Sequence, residues 1–175
     1  MGSDSDGHFA ALVESVLYQQ LAGAAAAAIH ARVVEAVGGQ VEPVAVLAAG
    51  EDRLRAVGLS RAKTAAILGL AEVVASGEVD LTRLSRLDDE EVIGSLLPLR
   101  GIGRWTAQMF CLFRLGRLDV WPVTDYGVRK GYANAYALVD LPGEKELVKL
   151  GDPFRPYRSV AAWYCWRSAR DRTAG

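Results

Sequence analysis

The sequence predicts an all-α fold, and three observations carry that prediction. Alanine occurs 27 times and proline only six times in 175 residues. Runs of β-branched residues are short, and apolar positions recur at the three-to-four spacing of a helix face. No stretch alternates apolar and polar residues over the length of a strand. About nine or ten short helices follow.

Taken in order, a first helix is expected over His8–Leu21, with Phe9, Leu12, Val13, Val16 and Leu17 forming one stripe. Gly23 marks a break, and a second helix runs Ala24–Val37 before Gly38-Gly39. Pro43 opens a short helix to Ala49, and Asp52–Val57 forms another ahead of Gly58. Ser60 caps a helix reaching Val74 or Ala75, with Ala66, Ile67, Leu70 and Val74 on its apolar face. Asp88 and Glu91 have the spacing of a capping box and open a helix to about Leu97. A tight Gly-Ile-Gly connection leads into a helix from Arg104 to Leu115, then a loop to Thr124. Helices over Asp125–Ala137, Glu144–Leu150 and Pro156–Ala169 complete the chain. Residues 1–7 are mostly small and polar, and are expected to be loose.

Composition narrows the function classes. At 51% hydrophobic residues and a net charge of −1 the chain is not of the disordered type. Its length suits one unit that buries roughly 70% of the unfolded surface. With Cys111, Cys165, His8 and His30 as the only cysteines and histidines, no zinc site or iron–sulfur cluster is expected. Two cysteines also fit a reduced intracellular setting and no disulfide framework. The Ala-rich run at 22–28 is too short to span a bilayer, so no membrane partner is expected.

Net charge alone speaks against a nucleic-acid binder, but its distribution does not. Glu35–Glu91 holds eleven acids and six bases, whereas Leu97–Tyr136 carries +4 and Asp152–Gly175 carries +3. Such asymmetry describes either ordinary surface scatter or a basic face on a neutral protein.

The deciding segment is Leu97-Pro-Leu-Arg-Gly-Ile-Gly-Arg-Trp-Thr-Ala107. Gly101 and Gly103 permit positive φ and close backbone approach, and the helix start behind them offers unpaired N–H groups to an anion. Alone, Gly-x-Gly describes a plain turn between two helices at least as well. The added information is its sequel at a fixed distance, Asp119-Val-Trp-Pro-Val-Thr-Asp125-Tyr-Gly-Val-Arg-Lys-Gly131.

With these blocks in this order, the sequence resembles the helix-hairpin-helix (HhH-GPD) DNA glycosylase superfamily, and within it the 3-methyladenine DNA glycosylase II branch. Further agreement lies in Leu17-Tyr-Gln-Gln-Leu21, Gly58-Leu-Ser-Arg-Ala-Lys63 and Phe154-Arg-Pro-Tyr-Arg-Ser159 before Trp163–Trp166. The resemblance covers about Phe9–Arg167. It implies a single all-α unit over 8–175, made of two helical lobes (8–116 with the hairpin at 97–107, and 117–175) around a cleft. It also implies excision of alkylated purines, 3-methyladenine type, from double-stranded DNA that contains damaged bases. The base is flipped out of the duplex and its N-glycosidic bond hydrolysed.

Residue by residue, the resemblance makes Asp125 the catalytic carboxylate; as a residue type it is equally suited to capping the next helix. Trp105 stands where strand-nicking members carry a lysine, so a monofunctional enzyme without AP lyase activity is implied. Trp105, Met109, Tyr18 and Trp166 match base-pocket positions. Met109 and Arg167 depart from aromatic residues in some relatives, which bears on base preference. Phe110 and Trp163 read as helix-packing core. Gln20 falls at the position of a wedge that fills the flipped nucleotide's gap; a buried helix-end glutamine is the other reading. Gly101, Gly103 and Thr106 match the phosphate-holding amides, with Arg100 and Arg104 beside them. The carbonyls of Leu97, Leu99 and Ile102 match a site for a monovalent cation, sodium or potassium, at the hairpin, and no other cofactor is implied. A monomer is expected. Some larger relatives begin with a β domain, which this chain is expected to lack. The competing classes are a non-catalytic duplex-binding module, a glycosylase of different base preference, and an all-α protein-interaction domain without a DNA role.

Overall fold

The computed structural model describes residues 6–21 and 23–171. Among them there are nine α-helices and no strand. They are α1 (Asp6–Tyr18), α2 (Gly23–Ala36), α3 (Pro43–Ala56), α4 (Arg61–Ala75), α5 (Asp89–Leu96), α6 (Arg104–Met109), α7 (Tyr126–Ala135), α8 (Glu144–Leu150) and α9 (Arg158–Asp171). Short 3₁₀ turns lie at Leu81–Arg86 and Asp152–Phe154. The expectation for residues 1–5 lies outside the described residues; Asp6 and Gly7 already belong to α1.

The chain divides into two compact units, Met1–Phe110 and Cys111–Gly175. In the first, the stripe read from the sequence is the core of α1: Phe9, Leu12, Val13, Val16 and Leu17 are all buried. Buried with them are Val33 of α2, Leu54 of α3 and Ile67 of α4. The predicted caps are in place. Ser60 Oγ accepts the Lys63 N–H at 3.3 Å, and Asp88 and Glu91 bond reciprocally at 2.8 and 2.9 Å. The two short helices expected at 43–49 and 52–57 form one element broken at Gly50, whose φ of 70° only glycine adopts freely.

Several boundaries differ from expectation. Helix α1 ends at Tyr18, three residues early, and Gln20 takes a left-handed φ of 57°. Helix α6 widens into a π-helical turn over Phe110–Arg114 instead of running evenly to Leu115. The last helix begins at Arg158, two residues after the expected Pro156.

The second unit is built on α7 against α9. Its core is Trp121, Val128, Tyr132, Leu147, Ala162 and Cys165. Gly131 permits the approach, because a Cβ there would fall on the Cys165 backbone carbonyl. The Trp121 indole donates to the Leu147 carbonyl at 2.8 Å across a face kept open by Gly151. Both cysteines are buried and free, and burial pushes the Cys165 thiol up to about 11, which leaves it protonated at neutral pH. Phe110 is buried as expected. Trp163 is not: it is 46% exposed, with the Arg167 guanidinium 5.1 Å from its ring centre. On α9 the buried positions are Ser159, Ala162 and Cys165, so Trp163 falls on the outer face.

Candidate active site

The hairpin occupies residues 97–103 of the first unit. Ile102 N–H donates to the Leu99 carbonyl at 3.0 Å and closes the turn. Gly101 sits at φ 84°, and a Cβ on it would lie 2.7 Å from the Ala66 side chain of α4. Glycine is therefore required at 101 by both conformation and packing. Gly103 differs from expectation. Its φ of −89° suits any residue, and nothing within the chain approaches its missing Cβ. It keeps the start of α6 bare rather than making the turn. Leu99 and Ile102 are buried, while Leu97, Arg100, Gly101 and Gly103 are exposed.

Behind the hairpin, Thr106 is buried and accepts a hydrogen bond from Gln19 Nε2 at 3.2 Å. The same nitrogen donates to the Gly101 carbonyl at 2.9 Å. Gln19, which the sequence reading passed over, thus fastens the end of α1 to the hairpin. Gln20 beside it is exposed and left-handed, which removes the buried-glutamine reading. Arg104 is held by Glu90 of α5 at 2.6 and 2.7 Å, with both side chains largely in solvent. Trp105 is 42% exposed and Met109 is buried. Tyr18 turns its ring edge-on to His30 of α2, with centroids 6.3 Å apart.

Asp125 stands in the second unit as the N-cap of α7. Its Oδ1 accepts the Val128 N–H at 2.8 Å and the Trp166 indole N–H at 2.8 Å. The carboxylate is half-buried, held from both sides, and sits at a helix N-terminus whose dipole favours its charge. Trp166 is itself stacked on Phe113, centroids 5.8 Å apart and planes 27° from parallel. Gly127 makes the pairing possible: a Cβ there would lie 2.8 Å from Trp166 Cδ1 and 3.1 Å from Asp125 Oδ1. A glycine in the first turn of a helix was the available signal, since helix propensity disfavours it.

The approach to Asp125 is fixed by a clamp at its N-terminal side. Arg158 donates to both carboxylate oxygens of Asp119 at 2.7 and 2.9 Å and to its backbone carbonyl at 2.8 Å. Arg155 adds a bond of 3.0 Å. Ser159 Oγ donates to the Arg117 carbonyl at 2.6 Å and accepts the Val120 N–H at 3.0 Å. These bonds to Arg158 and the neighbouring arginine charges hold the Asp119 carboxyl below its ordinary value. Arg155-Pro-Tyr-Arg-Ser159 is therefore a brace for the segment before Asp125. Two arginines counted toward a basic face are committed to it.

Among the described residues no group of three or more His, Cys, Asp or Glu is arranged to hold a metal ion, and no helix is long and apolar enough to cross a membrane.

Comparison with known proteins accords with this geometry. The family model for the HhH-GPD superfamily base excision DNA repair protein matches residues 13–156. DNA-3-methyladenine glycosylase 1 of Schizosaccharomyces pombe is 33% identical over 162 residues, covering 91% of this chain and 71% of its own length. Against several further curated relatives the chain spans only 55% to 59% of the relative's length. The crystal structure of a DNA-3-methyladenine glycosidase from Bacillus halodurans superposes with a TM-score of 0.87 at 38% identity, over 95% of this chain and 77% of that one. A Schizosaccharomyces pombe 3-methyladenine DNA glycosylase in complex with abasic DNA gives 0.81 at 34%, over 91% and 79%. A hairpin with its bare glycine, an aspartate capping the helix beyond it, and a family match over most of the chain identify this protein as a member of the HhH-GPD superfamily of base excision DNA repair proteins.

Proposed function

We propose that this chain is a monofunctional DNA glycosylase that flips an alkylated purine, of the 3-methyladenine type, out of duplex DNA and hydrolyses its N-glycosidic bond. The observation that carries the reading is Asp125: a carboxylate fixed through one oxygen by Val128 and Trp166. Preorganised negative charge is what the reaction needs. As the C1′–N bond breaks, its electron pair leaves with the base and positive charge grows on the sugar. Water then forms the new bond to C1′, and its proton passes to the carboxylate or to solvent. An alkylated purine already carries positive charge, so it leaves without strong acid catalysis and is favoured by aromatic walls. Trp166 beside Asp125 is proposed as such a wall, and Trp105, Met109 and Tyr18 are proposed as base contacts. The names of the relatives support this substrate class.

The amides of Gly101, Gly103 and Thr106 would seat a backbone phosphate, with Arg100 and Arg104 beside it, and Gln20 would fill the gap left by the flipped nucleotide. Leu97, Leu99 and Ile102 offer neutral carbonyl oxygens, a donor set that suits a monovalent cation, and the Leu99 carbonyl keeps a second lone pair beyond its bond to Ile102. Such an ion would neutralise phosphate charge at the hairpin. Trp105 supplies no amine, so no Schiff base forms there and an abasic site is the product.

The test compares wild type with Asp125→Asn on methylated duplex DNA. Asparagine caps a helix as well as aspartate and can accept the same two hydrogen bonds, so this change removes charge and little else. Base release is expected to fall by at least about a hundredfold, with binding to an abasic duplex retained. Undiminished release would overturn the role of Asp125. Binding without any release by the wild type would leave a duplex-binding module. Borohydride is expected to trap no covalent adduct on DNA; a trapped adduct would overturn the monofunctional assignment.

A further inference from the structure

The block Gly58–Lys63 has no part in the mechanism above, yet it meets the site at two points. Helix α4 starts at Arg61 with Ser60 as its cap, which fixes Lys63 in the first turn. From there Lys63 Nζ reaches the C-terminus of α1, donating to the Leu17 carbonyl at 2.6 Å and the Gln19 carbonyl at 2.8 Å. These are the carbonyls that a longer α1 would have left to its next turn. A cation there also complements the negative end of the α1 dipole. One residue on, Gln20 takes its left-handed φ of 57°, a conformation that non-glycine residues adopt only when their surroundings impose it. Three residues along the same face of α4, Ala66 is the side chain on which Gly101 of the hairpin rests. Gln19 closes the triangle through its bonds to Gly101 and Thr106.

We propose that Lys63 is a positioning residue: by holding the Leu17 and Gln19 carbonyls it sets the Gln20 turn and ties it, through Gln19, to the hairpin. The proposed wedge and the proposed phosphate seat then present to DNA as one preorganised piece, rather than being ordered at the moment of binding. This rests on the roles given to Gln20 and the hairpin above.

The probe is a synthetic duplex carrying a tetrahydrofuran abasic analogue, with affinity read by fluorescence anisotropy. Lys63→Met keeps the apolar stem and removes the donors; Lys63→Arg keeps a cation and donors. Gln20→Ala and Lys63→Met are each expected to weaken binding about tenfold. The double variant is expected to match the single ones rather than reach about a hundredfold, because each removes the same ordered wedge. Lys63→Arg recovers most of the affinity. In parallel, amide exchange accelerates at residues 19–21 and 101–106 in Lys63→Met and is unchanged at 126–171. Additive binding losses, or unchanged exchange at both segments, would overturn the proposal.

Wild type that fails to bind the abasic duplex overturns the functional reading instead, and the exchange result then decides the brace by itself. Should Lys63→Met not fold, Gln19→Ala decides: it leaves the α1 cap intact, and is expected to free residues 101–106 and to couple with Gln20→Ala.

Discussion

Gly127 gives up helix propensity in the first turn of α7, and the compensation is a hydrogen bond two helices share. Replacing it with alanine would gain up to about 1 kcal/mol of propensity. The new methyl, however, would lie 2.8 Å from Trp166 Cδ1, which separates the indole from Asp125. Gly127→Ala is therefore expected to lower base release at least as much as Trp166→Phe while shifting the melting temperature little. Trp166→Phe keeps an aromatic wall and loses only the donor. Removing one hydrogen bond to a charged group costs about 1.5–3 kcal/mol, or about 10- to 100-fold in rate. The loss is expected in kcat rather than KM, measured under single-turnover and steady-state conditions. Asp125 was legible in the sequence as the cap of α7, and it is also the carboxylate proposed for catalysis. Its pairing with Trp166 was not legible, because 41 residues separate them and no local pattern records a contact made by packing α7 on α9.

Among the elements, those closed by local chemistry were readable and those closed by distant partners were not. Ser60 and the Asp88–Glu91 box cap their helices as the spacing predicts, because donor and acceptor lie within one turn. The end of α1 was misplaced, since Gln-Gln-Leu is compatible with helix and the group that stops it, Lys63, lies 46 residues beyond Leu17. The brace of Arg155 and Arg158 on Asp119, and of Ser159 on Arg117 and Val120, was hidden for the same reason. Its arginines read as surface charge until the partner was found.

Two expectations belong to this scale. Asp119→Asn is expected to destabilise the second unit by about 1.5–3 kcal/mol at neutral pH. Because the folded carboxyl lies below its ordinary 3.8, its contribution is complete above about pH 4 and is lost as pH falls through the folded value. The gap in melting temperature between wild type and variant should therefore shrink below about pH 4. In α5, Glu90 holds Arg104, which is proposed to lie beside the phosphate, through an exposed pair worth about 0.2–1 kcal/mol. Glu90→Gln is expected to tighten duplex binding by no more than about fivefold, with no change in base release once DNA is saturating.

For the molecule as a whole, net charge is a poor guide and committed charge a better one. The value of −1 is a cancellation between an acidic stretch and a basic half, but that half is less available than its count suggests. Arg155 and Arg158 hold Asp119, the Arg129 guanidinium donates to the Pro142 carbonyl at 2.8 Å, and Arg104 is shared with Glu90. Arg100, exposed on the hairpin where the phosphate is proposed to sit, is the cation whose removal should register in DNA affinity. The dependence of binding on salt reads this distinction directly, since each phosphate neutralised adds about 0.9 to the slope of log affinity against log salt. Arg100→Ala is expected to flatten that slope by about one unit and leave the melting temperature unchanged. Arg155→Gln should do the reverse, lowering the melting temperature while leaving the slope as it was. Equal slopes for wild type and Arg100→Ala would place the phosphate away from the hairpin. A flattened slope in Arg155→Gln would mean that the brace opens to release its arginine to DNA.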